Sequence, residues 1–212
     1  MKRKALRSAI ILSVCFILWT LISMTVGTEA IGPLGSVVGL AGLNGWFHDQ
    51  TGVHMALYEL TDILGSIPFA VCIGFGLVGL CQLIKRKKLF AVDADILLLG
   101  TFYIVVIAAF LFFNKVALNY RPILIEGVLE PSYPSSTTLL AMCVMFSSVM
   151  QFNMRIGNKP LRGIANFVMI VFAVFMVAAR VISGVHWLTD IIGSVLLSAA
   201  LLCWYAYAIR KS

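Results

Sequence analysis

Six apolar stretches, each about 20 residues long, alternate along the chain with short polar connections. They run approximately over 8–26, 63–84, 94–113, 135–152, 163–180 and 188–209. About 20 apolar residues in a helix match the thickness of a bilayer's hydrocarbon core. A spanning segment in lipid must also satisfy its own backbone hydrogen bonds, which selects helix. The pattern therefore predicts an all-α polytopic membrane protein, with six transmembrane helices bundled in a single domain over 1–212. The first stretch follows a basic start, as a signal peptide does. It exceeds the about 7–15 residues of a signal-peptide core, however, and Gly27-Thr28-Glu29-Ala30 is a poor cleavage site, so a first spanning helix is expected. The connection over 27–62 reads as a loop followed by an interfacial helix, with Trp46 and Phe47 at headgroup level. His48 and His54 within it are six apart, poor spacing for one helical face, and are expected to be structural. In the second span, Gly74-Phe75-Gly76-Leu77-Val78-Gly79 matches a dinucleotide fingerprint only as letters, because no strand precedes it. Ser66, Ala70 and Gly74 recur every four residues, a small-residue face expected to pack closely.

Composition agrees with the pattern. Of the 212 residues, 61% are hydrophobic and 12% charged, whereas a soluble domain is about half apolar. The net charge of +7 does not point to nucleic acid, because the basic residues sit in short clusters between apolar runs. Lys2, Arg3, Lys4 and Arg7 precede the first span, and Lys85 to Lys88 follow the second. Arg155, Lys159 and Arg162 separate the fourth and fifth, and Arg210 and Lys211 follow the sixth. If six spans alternate, these thirteen of sixteen basic residues share one side. The positive-inside rule makes that side, and both termini, cytoplasmic. A plasma membrane is the expected location. Asp93 and Asp95 read as acidic charge at a helix N-terminus. The five cysteines lie inside apolar runs without Cys-x-x-Cys spacing, so buried small hydrophobes are expected.

The remaining three basic residues, Lys115, Arg121 and Arg180, fall on the opposite side. Arg180 opens the stretch that ends in His186 and Asp190. On a helix, residues four apart share a face, so Asp190 is expected to orient the His186 imidazole. Pro131 to Thr138 leads into the fourth span with two prolines and a Ser/Thr cluster. A helix N-terminus there would offer free backbone N–H groups to a phosphate. Cations, backbone donors, a nucleophile or base and its orienting carboxylate are the parts that phosphoryl transfer needs. The core of this candidate site spans 114–190.

These residues resemble the type 2 phosphatidic acid phosphatases, membrane lipid phosphatases that share a core with vanadium haloperoxidases. The family pattern is Lys-x6-Arg-Pro, then Pro-Ser-Gly-His, then Ser-Arg-x5-His-x3-Asp. The third part is matched by Arg180, His186 and Asp190, with Ala179 in place of the leading Ser. The first is approximated by Lys115, Arg121 and Pro122, one residue short. The second falls at Pro134, Ser135, Ser136 and Thr137. The resemblance implies that His186 is the nucleophile, Asp190 its partner, and Arg180 part of the catalytic group. It implies that Lys115, Arg121, Ser135, Ser136 and Thr137 bind phosphate, and that no metal or cofactor is needed.

One departure bears on substrate. The family's second histidine, which protonates the leaving oxygen, aligns with Thr137, and a hydroxyl is far too weak an acid to replace imidazole. Losing a general acid costs about 10²–10⁴ in rate for a poor leaving group. A lipid diphosphate expels a phosphate monoester and needs the acid less, so a bias toward isoprenyl diphosphates is expected. Glu126 or Glu130 are other candidate proton donors, or simply solvate their loop. The expected partners are a lipid phosphate substrate and membrane lipids, with no nucleic acid. A lipid phosphotransferase would use the same residues. A non-catalytic lipid-phosphate binder would explain the departures but not the His186–Asp190 pair. A transporter would place its charges near the bilayer midplane, whereas these lie at span ends.

Overall fold

The computed structural model describes residues 2–210. Lys211, counted above in the last basic cluster, lies outside the described residues. The described chain is helical, and among its residues no strand forms, only isolated bridges. Eight α-helices follow in order: α1 Lys2–Thr25, α2 Ala41–Thr51, α3 Met55–Leu64, α4 Ser66–Arg86, α5 Ala94–Lys115, α6 Ser136–Arg155, α7 Lys159–Ile182 and α8 Leu188–Ala208. Six segments are long and apolar enough to cross a membrane: α1, α3 with α4, and each helix from α5 to α8.

α6 is the centre of the bundle, touched by α4, α5, α7 and α8. Its membrane-length window is 61% buried, against 6% for α1. Small and slender side chains explain the difference, because Thr138, Ala141, Cys143, Ser147 and Ser148 let neighbouring backbones approach. Leu99, Phe102, Tyr103 and Val106 of α5, Leu139 and Val144 of α6, Ala173 of α7 and Leu202 of α8 complete the core. α1 lies along α8 and turns Ile10, Ile11, Leu18 and Leu21 outward, the surface that lipid would cover. It is bound to the bundle through Trp19 Nε1–H, which donates to the Thr189 carbonyl at 3.0 Å.

The second span starts earlier than the sequence reading placed it. Pro68 has no N–H to donate to the Leu64 carbonyl, and its ring crowds that carbonyl. The helix breaks at Gly65, and α3 runs back to Met55 beyond the break. Residues read as connection, Tyr58 and Asp62 among them, are thus helical. The interfacial helix corresponds to α2, where Trp46 is 61% exposed. The small-residue face of the second span does not pack as expected. A Cβ at Gly74 would meet nothing within 4 Å, and only Gly79 makes a close approach, 3.1 Å from Ile96 Cγ2. Ser66, Ala70 and Gly74 face outward. The cysteines also divide: Cys143 is buried, Cys15 and Cys81 are exposed, and all five are free thiols.

Asp93 and Asp95 do more than charge a helix terminus. Asp93 accepts from Gln82 Nε2 at 2.8 Å and pairs with Arg86 at 2.7 Å and Arg155 at 3.2 Å. Arg155 also pairs with Asp95 and donates to Gln151. These contacts join α4, α5 and α6 at the end of the bundle that carries the basic clusters.

Candidate active site

The opposite end of the bundle gathers the C-termini of α5 and α7, the N-termini of α6 and α8, and α3. A cleft of about 340 Å³ opens there, lined by Asn114, Arg121, Glu130, Pro131, Ser132, Tyr133, Pro134, Ser136 and His186. The long connection between α5 and α6 folds back on itself to supply most of this lining. Arg121 N–H donates to the Glu130 carbonyl and Ser132 N–H to the Asn119 carbonyl. Trp187 Nε1–H donates to the Tyr120 carbonyl at 2.8 Å, fastening this connection to the α7–α8 turn.

His186 and Asp190 are close, but not as neighbours on one helix. His186 stands in the turn before α8, and Asp190 occupies the first turn of α8. The turn depends on glycine. Gly184 has φ +68°, and a Cβ there would lie 1.9 Å from the Gly52 carbonyl oxygen. The Asp190 carboxylate accepts from Trp187 N–H at 3.0 Å, one half of a capping box, and from Asn119 Nδ2 at 3.2 Å. Its Oδ2 lies 3.7 Å from His186 Nδ1, which has no hydrogen-bond partner. The pair is set by the cap and by Asn119, and a small approach would close it. Burial above all, then the charges of Arg121 and Arg180, hold the His186 imidazole well below its ordinary pKa. The ring is neutral at neutral pH, the form a nucleophile requires.

The two arginines differ in their partners. Arg121 is 9% exposed and faces Glu130 Oε2 across 3.0 Å. Arg180, on the last turn of α7, is 1% exposed. Its Nη2 donates to Thr137 Oγ1 at 2.6 Å and reaches Asp62 Oδ1 at 3.4 Å. Arg180 Nε and Nη1 and Arg121 Nη1 are buried without a partner. Buried guanidinium N–H groups left unpaired are costly, and an oxyanion is the ligand that would satisfy them.

The remaining expected site residues fall unevenly. Ser136 lines the cleft. Ser135 sits behind it as the residue before α6, its N–H 3.4 Å from the Asp190 carbonyl oxygen and its hydroxyl buried without a partner. Thr137 orients Arg180. Lys115 ends α5 exposed and does not line the cleft. Asn114 does, and Asn114 is the residue seven before Arg121, where the family spacing puts its lysine. Glu130 is bound to Arg121, whereas Glu126 is exposed at a left-handed turn position with φ +50°. Tyr58, Asp62, Asn119 and Tyr133 are contributors that the sequence reading missed. Asp62 is 118 residues from Arg180, and only its place four residues after Tyr58, ahead of an apolar run, was there to see.

No curated protein sequence matches the chain. One solved structure that it resembles is a transmembrane PAP2-type phosphatidylglycerolphosphate phosphatase from Bacillus subtilis. The two share 16% identity with a TM-score of 0.62, and the alignment covers 96% of each chain. That likeness carries the fold. A family model for the PAP2 superfamily matches residues 69–212, more than half of the chain and every residue of the motif region. The chain belongs to the PAP2 superfamily and is a multi-pass membrane protein.

Proposed function

We propose that the chain, acting as one domain, is a lipid phosphatase that cleaves lipid phosphates or diphosphates, with a preference for isoprenyl diphosphates. The observation that carries this reading is the cleft lined by a neutral His186 and Arg121, with the charge of Arg180 buried close behind, and with N–H groups on both guanidiniums that lack hydrogen-bond partners. Nδ1 faces Asp190, so Nε2 attacks phosphorus. The bond from phosphorus to the lipid-side oxygen breaks, and that oxygen leaves with the electron pair. Asp190 stabilises the imidazolium that forms, and the guanidiniums hold the equatorial oxygens. Water then cleaves the phosphohistidine and releases phosphate. Membership of a family of membrane phosphatases supports the reaction class. The likeness to the structure of a phosphatidylglycerolphosphate phosphatase is compatible with it. The substrate preference rests on Thr137, whose hydroxyl accepts from Arg180 and cannot replace an acidic imidazole. The basic clusters gather at the end of the bundle away from the cleft, which supports a plasma-membrane protein with its site on the extracytoplasmic side.

A second reading is favoured by Asn114 and Thr137, which remove a cation and an acid from the pattern: a protein that binds lipid phosphate without turning it over. Phosphate release by purified protein, presented with an isoprenyl diphosphate and a phosphatidic acid, separates the two. The phosphatase reading expects release that His186→Ala abolishes, and faster release from the diphosphate. Absence of release from any lipid phosphate, with binding intact, would establish the second reading. Equal rates on the two substrates would remove the diphosphate preference alone.

A further inference from the structure

Two guanidiniums meet one aromatic ring at this site. Arg180 Cζ lies 4.9 Å from the centroid of Tyr58, and Arg121 Cζ lies 5.5 Å from it. The carboxylates nearby do not join the arginines, since Glu130 faces Arg121 and Asp62 faces Arg180. Among the described residues, no other side chain has an ion pair, hydrogen bond or ring contact with both. Two like charges brought together in a largely buried site repel, and solvent screens them less there than at the surface. The negative face of a phenol ring attracts a guanidinium within about 6 Å. Tyr58 therefore offsets the repulsion at the point where it is worst.

The ring is itself held in place. The break at Gly65 sets the direction of α3. At its start, His54 N–H donates to the Ser183 carbonyl at 2.9 Å, and Gly52 packs on Gly184. Those anchors lie between Arg180 and His186 in the chain. Tyr58 precedes residue 69, where the family match begins, so this support comes from outside the matched stretch.

We propose that Tyr58 is a positioning residue that holds Arg121 and Arg180 together as a single clamp for the equatorial oxygens of a transferring phosphoryl group. This rests on the phosphatase reading for its ligand. It is the ring that acts, because the Tyr58 hydroxyl makes no hydrogen bond among the described residues. Orthovanadate, which adopts the five-coordinate geometry of phosphoryl transfer, is the probe. Its dissociation constant is measured by calorimetry on the purified full chain for wild type, Tyr58→Phe and Tyr58→Leu, beside kcat and KM on an isoprenyl diphosphate. Tyr58→Phe is expected within twofold of wild type, and Tyr58→Leu is expected to weaken vanadate about tenfold, the scale of a desolvated cation–π contact. KM is expected to rise and kcat to fall together in Tyr58→Leu. A role confined to stability would lower the Tm of the anion-free protein and leave the vanadate constant unchanged. A change of less than about threefold in Tyr58→Leu, or equal damage from Tyr58→Phe, overturns the proposal. Wild type that binds vanadate but releases no phosphate defeats the phosphatase reading and leaves the clamp standing. Wild type that fails to bind vanadate defeats both.

Discussion

The two ends of this helical bundle both gather arginines, and they use them in opposite ways. At the basic end, Arg86 and Arg155 find Asp93, Asp95, Gln82 and Gln151 within hydrogen-bonding reach. Those side chains are partly exposed, between 24% and 45% for the four charged residues. At the cleft end, Arg180 and Arg121 are nearly sealed from solvent, yet three of their nitrogens lack any partner. Paired, exposed arginines join helices and contribute little each. Buried arginines that keep N–H groups without hydrogen bonds, beyond their contacts to Glu130, Asp62 and Thr137, cost stability and are maintained by the structure around them, as at a candidate anion site. One set of helices thus carries a polar joint at one end and the candidate anion site at the other.

The sharpest way to break the contrast is to exchange the fates of the two ends. Arg180→Ala is expected to lower kcat/KM by about 10³, the usual cost of removing one preorganised donor from a phosphoryl-transfer site. Its Tm is expected to stay within a few degrees of wild type, because the lost contacts to Thr137 and Asp62 are offset by removal of a buried charge with two N–H groups lacking hydrogen bonds. A thermal melt beside steady-state kinetics checks both. Thr137→His is expected to raise phosphatidic acid cleavage by about 10², the lower range for a general acid, with little change on an isoprenyl diphosphate. Rates on the two substrates, measured side by side, check the selectivity. Arg155→Ala is expected to leave kcat/KM within twofold and to lower Tm by a few degrees.

Acidification should separate the ends further. The His186 pKa is depressed in the folded chain, so the unfolded chain takes up that proton first. Stability from this end is lost as pH falls below about 6.5. The neutral nucleophile itself persists below that value, so the acid limb of kcat/KM is expected below pH 6.5. Asp93 is the opposite case. Its hydrogen bonds from Arg86, Gln82 and Arg155 lower its pKa, and its contribution is lost only as pH falls below about 4. The Tm difference between wild type and Arg155→Ala is expected to stay constant from pH 7 to 5 and to shrink below pH 4. Melts across that range check it.

The six spans were legible in the sequence because lipid imposes length and apolarity together. Arg180, His186 and Asp190 were legible because charge at a span end demands a reason. The geometry that joins them was not. Asp190 reaches His186 through a capped turn rather than along a helical face. The second span starts earlier than expected because the polar residues of α3 read as part of an interfacial connection, while Pro68 hides a break inside one continuous membrane segment. Lys115 was preferred to Asn114 because a charge is the louder letter, and only the end of α5 decides which residue faces the cleft. Tyr58 carried no signal at all, since an aromatic residue near a membrane interface is ordinary until two arginines are seen against it.

The account depends most on His186 forming a bond to phosphorus. An isoprenyl diphosphate radiolabelled in its terminal phosphate, mixed with purified protein and quenched in alkali, tests this directly, because phosphohistidine survives base and not acid. The account expects base-stable, acid-labile label on the wild-type chain, mapped to His186 and absent from His186→Ala. Phosphate release without labelled protein, undiminished in His186→Ala, would contradict it.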